Sequence, residues 1–248
     1  MQDKTLPFPA AVFIFLLVYM SISYTSLMLH EPYLDMAIKE DNFFENASFL
    51  GLFITAVLFI LAFIKGRRPE YRAGNPPLKQ LSYILLALIF MFGAGEEISW
   101  GQRIFNIETP QSLKQENVQN EINIHNMALF EGKESIVTVD TLFTTFAFTF
   151  TLLIPLAASR STVFDRFINR IMPVPHWSLG LLFLANFILA KAAKLLFVSS
   201  YEHPAIAFVQ GVQEIKEGNY GVLFVLVAIN IAFISMNRRT AGKCGSPG

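Results

Sequence analysis

Six stretches of this chain are apolar for about the length that a helix needs to cross a bilayer, and they constrain the fold more than any other feature. A hydrocarbon core about 30 Å thick takes roughly 20 residues of helix to span. The stretches cover 8–29, 47–64, 81–98, 136–158, 177–200 and 220–236. They are continuous blocks rather than the periodic patches of a soluble helix. Only 15% of the residues are charged, against about 25% in a soluble domain, so the composition points the same way. The expected architecture is an all-α polytopic membrane bundle of about six transmembrane helices. It forms one domain over 1–236, followed by a polar cytoplasmic tail over 237–248. The first stretch is longer than the apolar region of a signal peptide and is followed by no small-residue cleavage site, so it is read as a retained helix. The fourth is the least regular, because Phe143, Phe146, Phe148 and Phe150 alternate with threonines as a strand would. A lone strand in lipid leaves its amides unpaired at a cost of several kcal/mol each, which makes helix the expectation. The threonine hydroxyls then bond to carbonyls one turn back.

Loop charge predicts the orientation. Lys65, Arg67, Arg68, Arg72 and Lys79 lie between the second and third blocks, Arg160, Arg166 and Arg170 between the fourth and fifth, and Arg238, Arg239 and Lys243 after the sixth. The alternate loops are acidic, with Glu31, Asp35, Glu40, Asp41 and Glu45 against Lys39 in the first and Glu202, Glu214 and Glu217 against Lys216 in the last. Both termini are therefore expected in the cytoplasm, with an outer loop over 103–135. The segment 204–218 reads as a helix lying on the outer surface, its Ile206, Val209, Val212 and Ile215 recurring every third residue. A net charge of zero gives nucleic acid no support as a partner. Cys244 is the one cysteine, which excludes a disulfide within the chain.

The stretch from Gly93 to Asn126 carries most of the chemistry. Glu96 and Glu97 end an apolar helix near the hydrocarbon boundary, where ionisable groups usually face a bundle interior and mark function. Continued helical spacing puts Glu96, Trp100 and Arg103 on one face. Gly93, Glu97 and Gly101 fall on a neighbouring face, where glycines let another helix come close. Lys191 and Lys194 lie three apart on the fifth block, at about the level of the glutamates, and Asp140 lies at a similar depth. Outer loops add Glu121, His125, His30 and His203, whereas His176 falls at the cytoplasmic entrance of the fifth block.

Gly95-Glu96-Glu97-Ile98-Ser99-Trp100-Gly101-Gln102-Arg103, with Thr109-Pro110, Glu121, Asn123 and His125-Asn126, resembles a block carried by a family of bacterial integral membrane proteins of uncharacterised function. The resemblance covers about 30 residues. It implies a multi-pass protein of the bacterial plasma (inner) membrane and brings no activity with it.

Several readings of these residues stand side by side. Glu96 and Glu97, with His125, are candidates for general acid–base catalysis, or the two glutamates form ion pairs with Lys191 or Lys194 that fix packing. Trp100, Arg103, Glu121, Lys191 and Lys194 are candidates for holding an anionic substrate, or Trp100 is an interfacial anchor and the lysines snorkel. Glu97, Glu121, His125 and His203 have the ligand types for a divalent metal, although no standard zinc motif is present. Asn186 and Asn230, deep in the fifth and sixth blocks, are expected to bond between helices. Two functions follow: a membrane-embedded enzyme acting on a lipid or lipid-linked anionic substrate, or a non-catalytic subunit or small transporter whose buried charges fix packing or a protein interface. Membrane lipid is the expected partner in either case.

Overall fold

A computed structural model describes residues 7–27, 42–72, 77–114, 117, 122–124, 127, 138–197 and 205–243. Among them the regular structure is helical, apart from one isolated antiparallel bridge between Asn117 and Met127. The helices are α1 (Ala10–Ser26), α2 (Phe43–Arg72), α3 (Pro77–Glu97), the one-turn α4 (Gln102–Phe105) and α5 (Gln111–Lys114), α6 (Val139–Arg160), α7 (Thr162–Ile171), α8 (Ser178–Phe197) and α9 (Ala205–Lys243). Spans within α2, α3, α6, α8 and α9 are long and apolar enough to cross a membrane, and α1 is a shorter apolar helix of 17 residues. The protein is thus a multi-pass helical membrane protein.

Phenylalanine builds the core. Phe224 of α9 is fully buried. Its ring lies edge-on to Phe90 of α3 at 4.7 Å, Phe183 of α8 at 4.8 Å and Phe143 of α6 at 5.6 Å. Each such pair contributes about 0.5–1.5 kcal/mol beyond its area, so one side chain of α9 ties three neighbours together. Phe208, Val212, Ile215, Tyr220 and Val227 are also fully buried, which places α9 inside the bundle for most of its length.

The sequence predicted two elements here, a surface helix over 204–218 and a span over 220–236, whereas the structure has one continuous helix. The reason lies in what its glycines face. A Cβ on Gly218 would stand 2.8 Å from the carbonyl oxygen of Phe44, and one on Gly221 would stand 2.8 Å from Cα of Ser48. A Cβ on Gly51 would come within 2.3 Å of the carbonyl carbon of Gly221. α2 and α9 therefore cross backbone against backbone, as small residues permit in lipid. These glycines are contact points rather than helix ends. The stripe of Val212 and Ile215, extended by Phe208, faces protein.

The fourth block is a helix, as expected, but it widens to a π turn at Thr149–Leu153. Pro155 supplies no amide for the carbonyl of Thr151, and the wider turn absorbs the defect. Thr151 donates its hydroxyl to the carbonyl of Ala147 at 2.7 Å. Gly180 of α8 packs on the bulge, where a Cβ would lie 2.6 Å from the Thr151 oxygen. At the same end of α8, Asn230 of α9 accepts the backbone N–H of His176 at 2.9 Å.

Candidate functional site

α3 stops at Glu97, and the chain then turns through positive φ at Ser99, Trp100 and Gly101. The helix therefore does not continue to Arg103, which corrects the single face expected for Glu96, Trp100 and Arg103. Glu96 and Trp100 still meet, because the indole folds back over Gly95, where a Cβ would lie 2.9 Å from the ring. Nε1–H of Trp100 donates to Oε1 of the buried Glu96 at 2.6 Å.

That contact is one knot in a lattice. The second oxygen of Glu96 accepts the backbone N–H of Ile124 at 2.6 Å. Gln102 accepts the N–H of Ile122 at 2.6 Å and donates to the hydroxyl of buried Thr109 at 2.6 Å. Asn123 donates to Ser99 Oγ at 3.1 Å and accepts from Asn117 at 2.9 Å through both its backbone and side-chain oxygens. Segment 122–124 is thereby fastened at three successive residues to the end of α3, the turn beyond it and the start of α4. Gly95, Glu96, Ser99, Trp100, Gln102, Thr109 and Asn123 all belong to the block singled out in the sequence, and all serve this fastening. Glu121, His125, His203 and the side chain of Arg103 lie outside the described residues.

Glu97 turns the other way, into the bundle. Ser48 of α2 hydrogen-bonds it, and the strongest charges around it are the carboxylates of Glu217 and Glu214 of α9 and Glu45 of α2. The glycine crossing sets this up, because it puts the first turns of α2 directly against α9. Asn42 caps α2 by accepting the N–H groups of Phe44 at 2.7 Å and Glu45 at 2.9 Å, and its side chain also bonds Glu214. Gln213 donates to Glu217 at 2.5 Å.

Amines join the same level, Lys216 being linked to Glu217 through Gln213. The buried Lys216 forms an ion pair with Asp140 at the start of α6 and donates to Gln213 at 3.0 Å. Lys194 of α8, partly buried, lies in the field of Lys216 and Asp140. Lys191 is exposed, with its ammonium 5.4 Å from the centre of the Phe187 ring. Of the two lysines expected to face the glutamates, Lys194 joins the polar level and Lys191 faces outward. Below them, Asn186 of α8 accepts from the Tyr24 hydroxyl at 2.8 Å and from Asn219 at 2.9 Å, and donates to the Lys216 carbonyl at 3.0 Å. That is the interhelical role expected of it, and it brings α1 into the same polar level. Helices α1, α2, α3, α6, α8 and α9 all contribute.

The sequence had placed Glu45, Glu214, Lys216 and Glu217 in outer loops or on a surface helix. The signal that would have found them is the spacing of Gly218 and Gly221 immediately after Glu214 and Glu217. Small residues close together on one face of an apolar helix let another backbone approach, and charges just before such a crossing lie against the neighbouring helix. Among the described residues, no group of three or more His, Cys, Asp or Glu is placed to hold a metal ion. The four glutamates therefore share an electrostatic neighbourhood without converging on one point.

Neither a protein-family model, nor a curated protein, nor a solved structure matches this chain.

Proposed function

We propose that the chain is a membrane-embedded enzyme acting on a lipid or lipid-linked substrate at the outer face of a bacterial plasma membrane, with Glu97 as its proton-transfer group. The observation that carries this reading is the position of Glu97. It is set among Glu45, Glu214 and Glu217 at one end of the bundle, beside a loop that Glu96, Ser99 and Gln102 hold in place. Carboxylates gathered this way exchange protons as a set rather than singly, which suits general acid–base work. The fastened segment 122–124 lies between Glu121 and His125 in sequence, so the lattice supports the stretch that carries the expected acid, His125, and the substrate-binding candidate Glu121.

Charge narrows the substrate. Acids outnumber amines at this level among the described residues, which favours an amine- or hydroxyl-bearing group near Glu97. A phosphate belongs on the side of Lys194, the partly buried cation of this level. The resemblance to bacterial multi-pass proteins supports the membrane assigned here. A divalent metal at Glu97, Glu121, His125 and His203 is not needed for this chemistry.

Lipid extracts of membranes containing the natural chain, Glu97→Gln or His125→Ala, compared by mass spectrometry, test the reading. A lipid species that changes with the natural chain and stays unchanged with either variant, all three accumulating equally, is the expected result. Identical profiles for all three chains would refute it.

A second reading is non-catalytic, with the polar groups fixing helix packing or docking a partner. Glu96 favours it, since both of its oxygens are engaged in fastening. Under that reading Glu97→Gln and His125→Ala reduce the amount of inserted protein and alter no lipid.

A further inference from the structure

We propose that the turn beyond α3, residues 99–107, is a membrane-inserted prong whose partner is the acyl-chain boundary of the adjacent leaflet. Its apolar side chains stand uncovered: Trp100 is 48% exposed, Ile104 71%, Phe105 72% and Ile107 49%. A row of large apolar groups of this kind is uncommon where protein meets water. Continuity identifies what covers it. The lipid-facing side of α3 carries exposed Leu81, Leu85, Leu88, Ile89 and Phe92, and the Phe92 and Trp100 rings touch edge to face at 5.5 Å. The prong extends the surface that already faces hydrocarbon.

The direction of the indole adds a second observation. It folds back from the end of α3 onto Gly95, which aims it along the helix towards the bilayer interior. A tryptophan at a membrane boundary ordinarily stays at headgroup level, where its N–H finds a polar partner. Here that proton goes to Glu96, itself 6% exposed, at 2.6 Å. The protein thus satisfies the donor from within, and the ring enters hydrocarbon without an unpaired N–H. The other oxygen of Glu96 holds the Ile124 amide, so the lipid-side ring and segment 122–124 are gripped by one carboxylate. This inference stands whether or not the protein is an enzyme.

The chain has two tryptophans, Trp100 and Trp177, so Trp177→Phe leaves Trp100 as the single reporter. After reconstitution in phosphatidylcholine vesicles, its emission is expected to be blue-shifted. Lipids brominated along the acyl chain should remove the larger part of it, and aqueous iodide little. Adding Ile104→Asp and Phe105→Asp shifts the emission to the red and weakens the bromolipid quenching. If Trp177→Phe does not fold, Trp100→Phe in the otherwise natural chain must lower the bromolipid-quenched emission. A Trp100 reached by iodide and untouched by bromolipid overturns the proposal. So does one reached by neither quencher, since protein then covers it.

Discussion

Adjacent side chains on a helix point about 100° apart, and at the end of α3 this separation sends Glu96 to the loop and Glu97 into the bundle. The sequence already puts them on neighbouring helix faces, and the structure supplies the partners of each. Glu96 accepts from two donors, the Trp100 indole and the Ile124 amide, through part-buried bonds. Glu96→Ala is therefore expected to cost about 1–3 kcal/mol, as the loss of hydrogen bonds to a charged group does, and Glu96→Gln less, since its remaining carbonyl oxygen keeps one bond. Unfolding by denaturing detergent in mixed micelles measures both, and equal effects would count against the acceptor role. Lys216 and Asp140 allow a sharper comparison. Asp140→Asn leaves the ammonium of buried Lys216 without its charge partner, a change that costs up to about 3–5 kcal/mol for a fully buried pair. The side chain of Asp140 is 39% exposed, so solvent screening reduces the loss. Adding Lys216→Met to Asp140→Asn removes the stranded charge, and the double variant should be more stable than Asp140→Asn alone.

α9 shows why part of the site could not be read from the chain. Its outer half alternates apolar and polar residues, and for a segment next to water the economical reading is a helix lying on the membrane surface. The polar side instead meets Asn42, Glu45 and Ser48 of α2, more than 160 residues away in the chain, and no local pattern announces a polar partner at that distance. The spans themselves were legible, because lipid demands long apolar helices whatever they pack against. The threonine back-bonding in α6 and the interhelical bonds of Asn186 followed from the same demand that buried polar groups find partners, whereas Asn230 meets the loop residue His176 just before α8 instead of a helix. The left-handed turn at Ser99–Gly101 was not legible, since two of its three positive-φ residues are not glycine. The crossing of α2 and α9 yields a test of its own. Gly221→Leu places a side chain where backbone already stands, and overpacking costs about 1–3 kcal/mol even where neighbours can shift. Here the neighbours are main chain, so the expected outcome is at least that loss in detergent unfolding, with little properly inserted protein. A Gly221→Leu variant as stable as the natural chain would show that the helices do not meet there.

The arrangement of loops makes a statement about sidedness. The glutamate level lies at one end of the bundle, and the basic C-terminal end of α2 and the basic helix α7 lie at the other. We expect the basic end in the cytoplasm, together with the C-terminal tail and its single cysteine. A membrane-impermeant maleimide should therefore leave Cys244 unlabelled in intact spheroplasts and label it in inverted vesicles. Labelling in the opposite pattern would place the glutamate level inside the cell and remove the outer leaflet as the source of substrate. The contact of Gly51 with Gly221 has a mechanical consequence for any motion of such a bundle. Side chains at a helix crossing can change rotamer and let helices slide, but bare backbone has no such slack. That contact is a fixed fulcrum: if α9 rocks against α2, its two ends swing in opposite senses, and a push on the end near Asn230 is delivered, reversed, at Glu214 and Glu217.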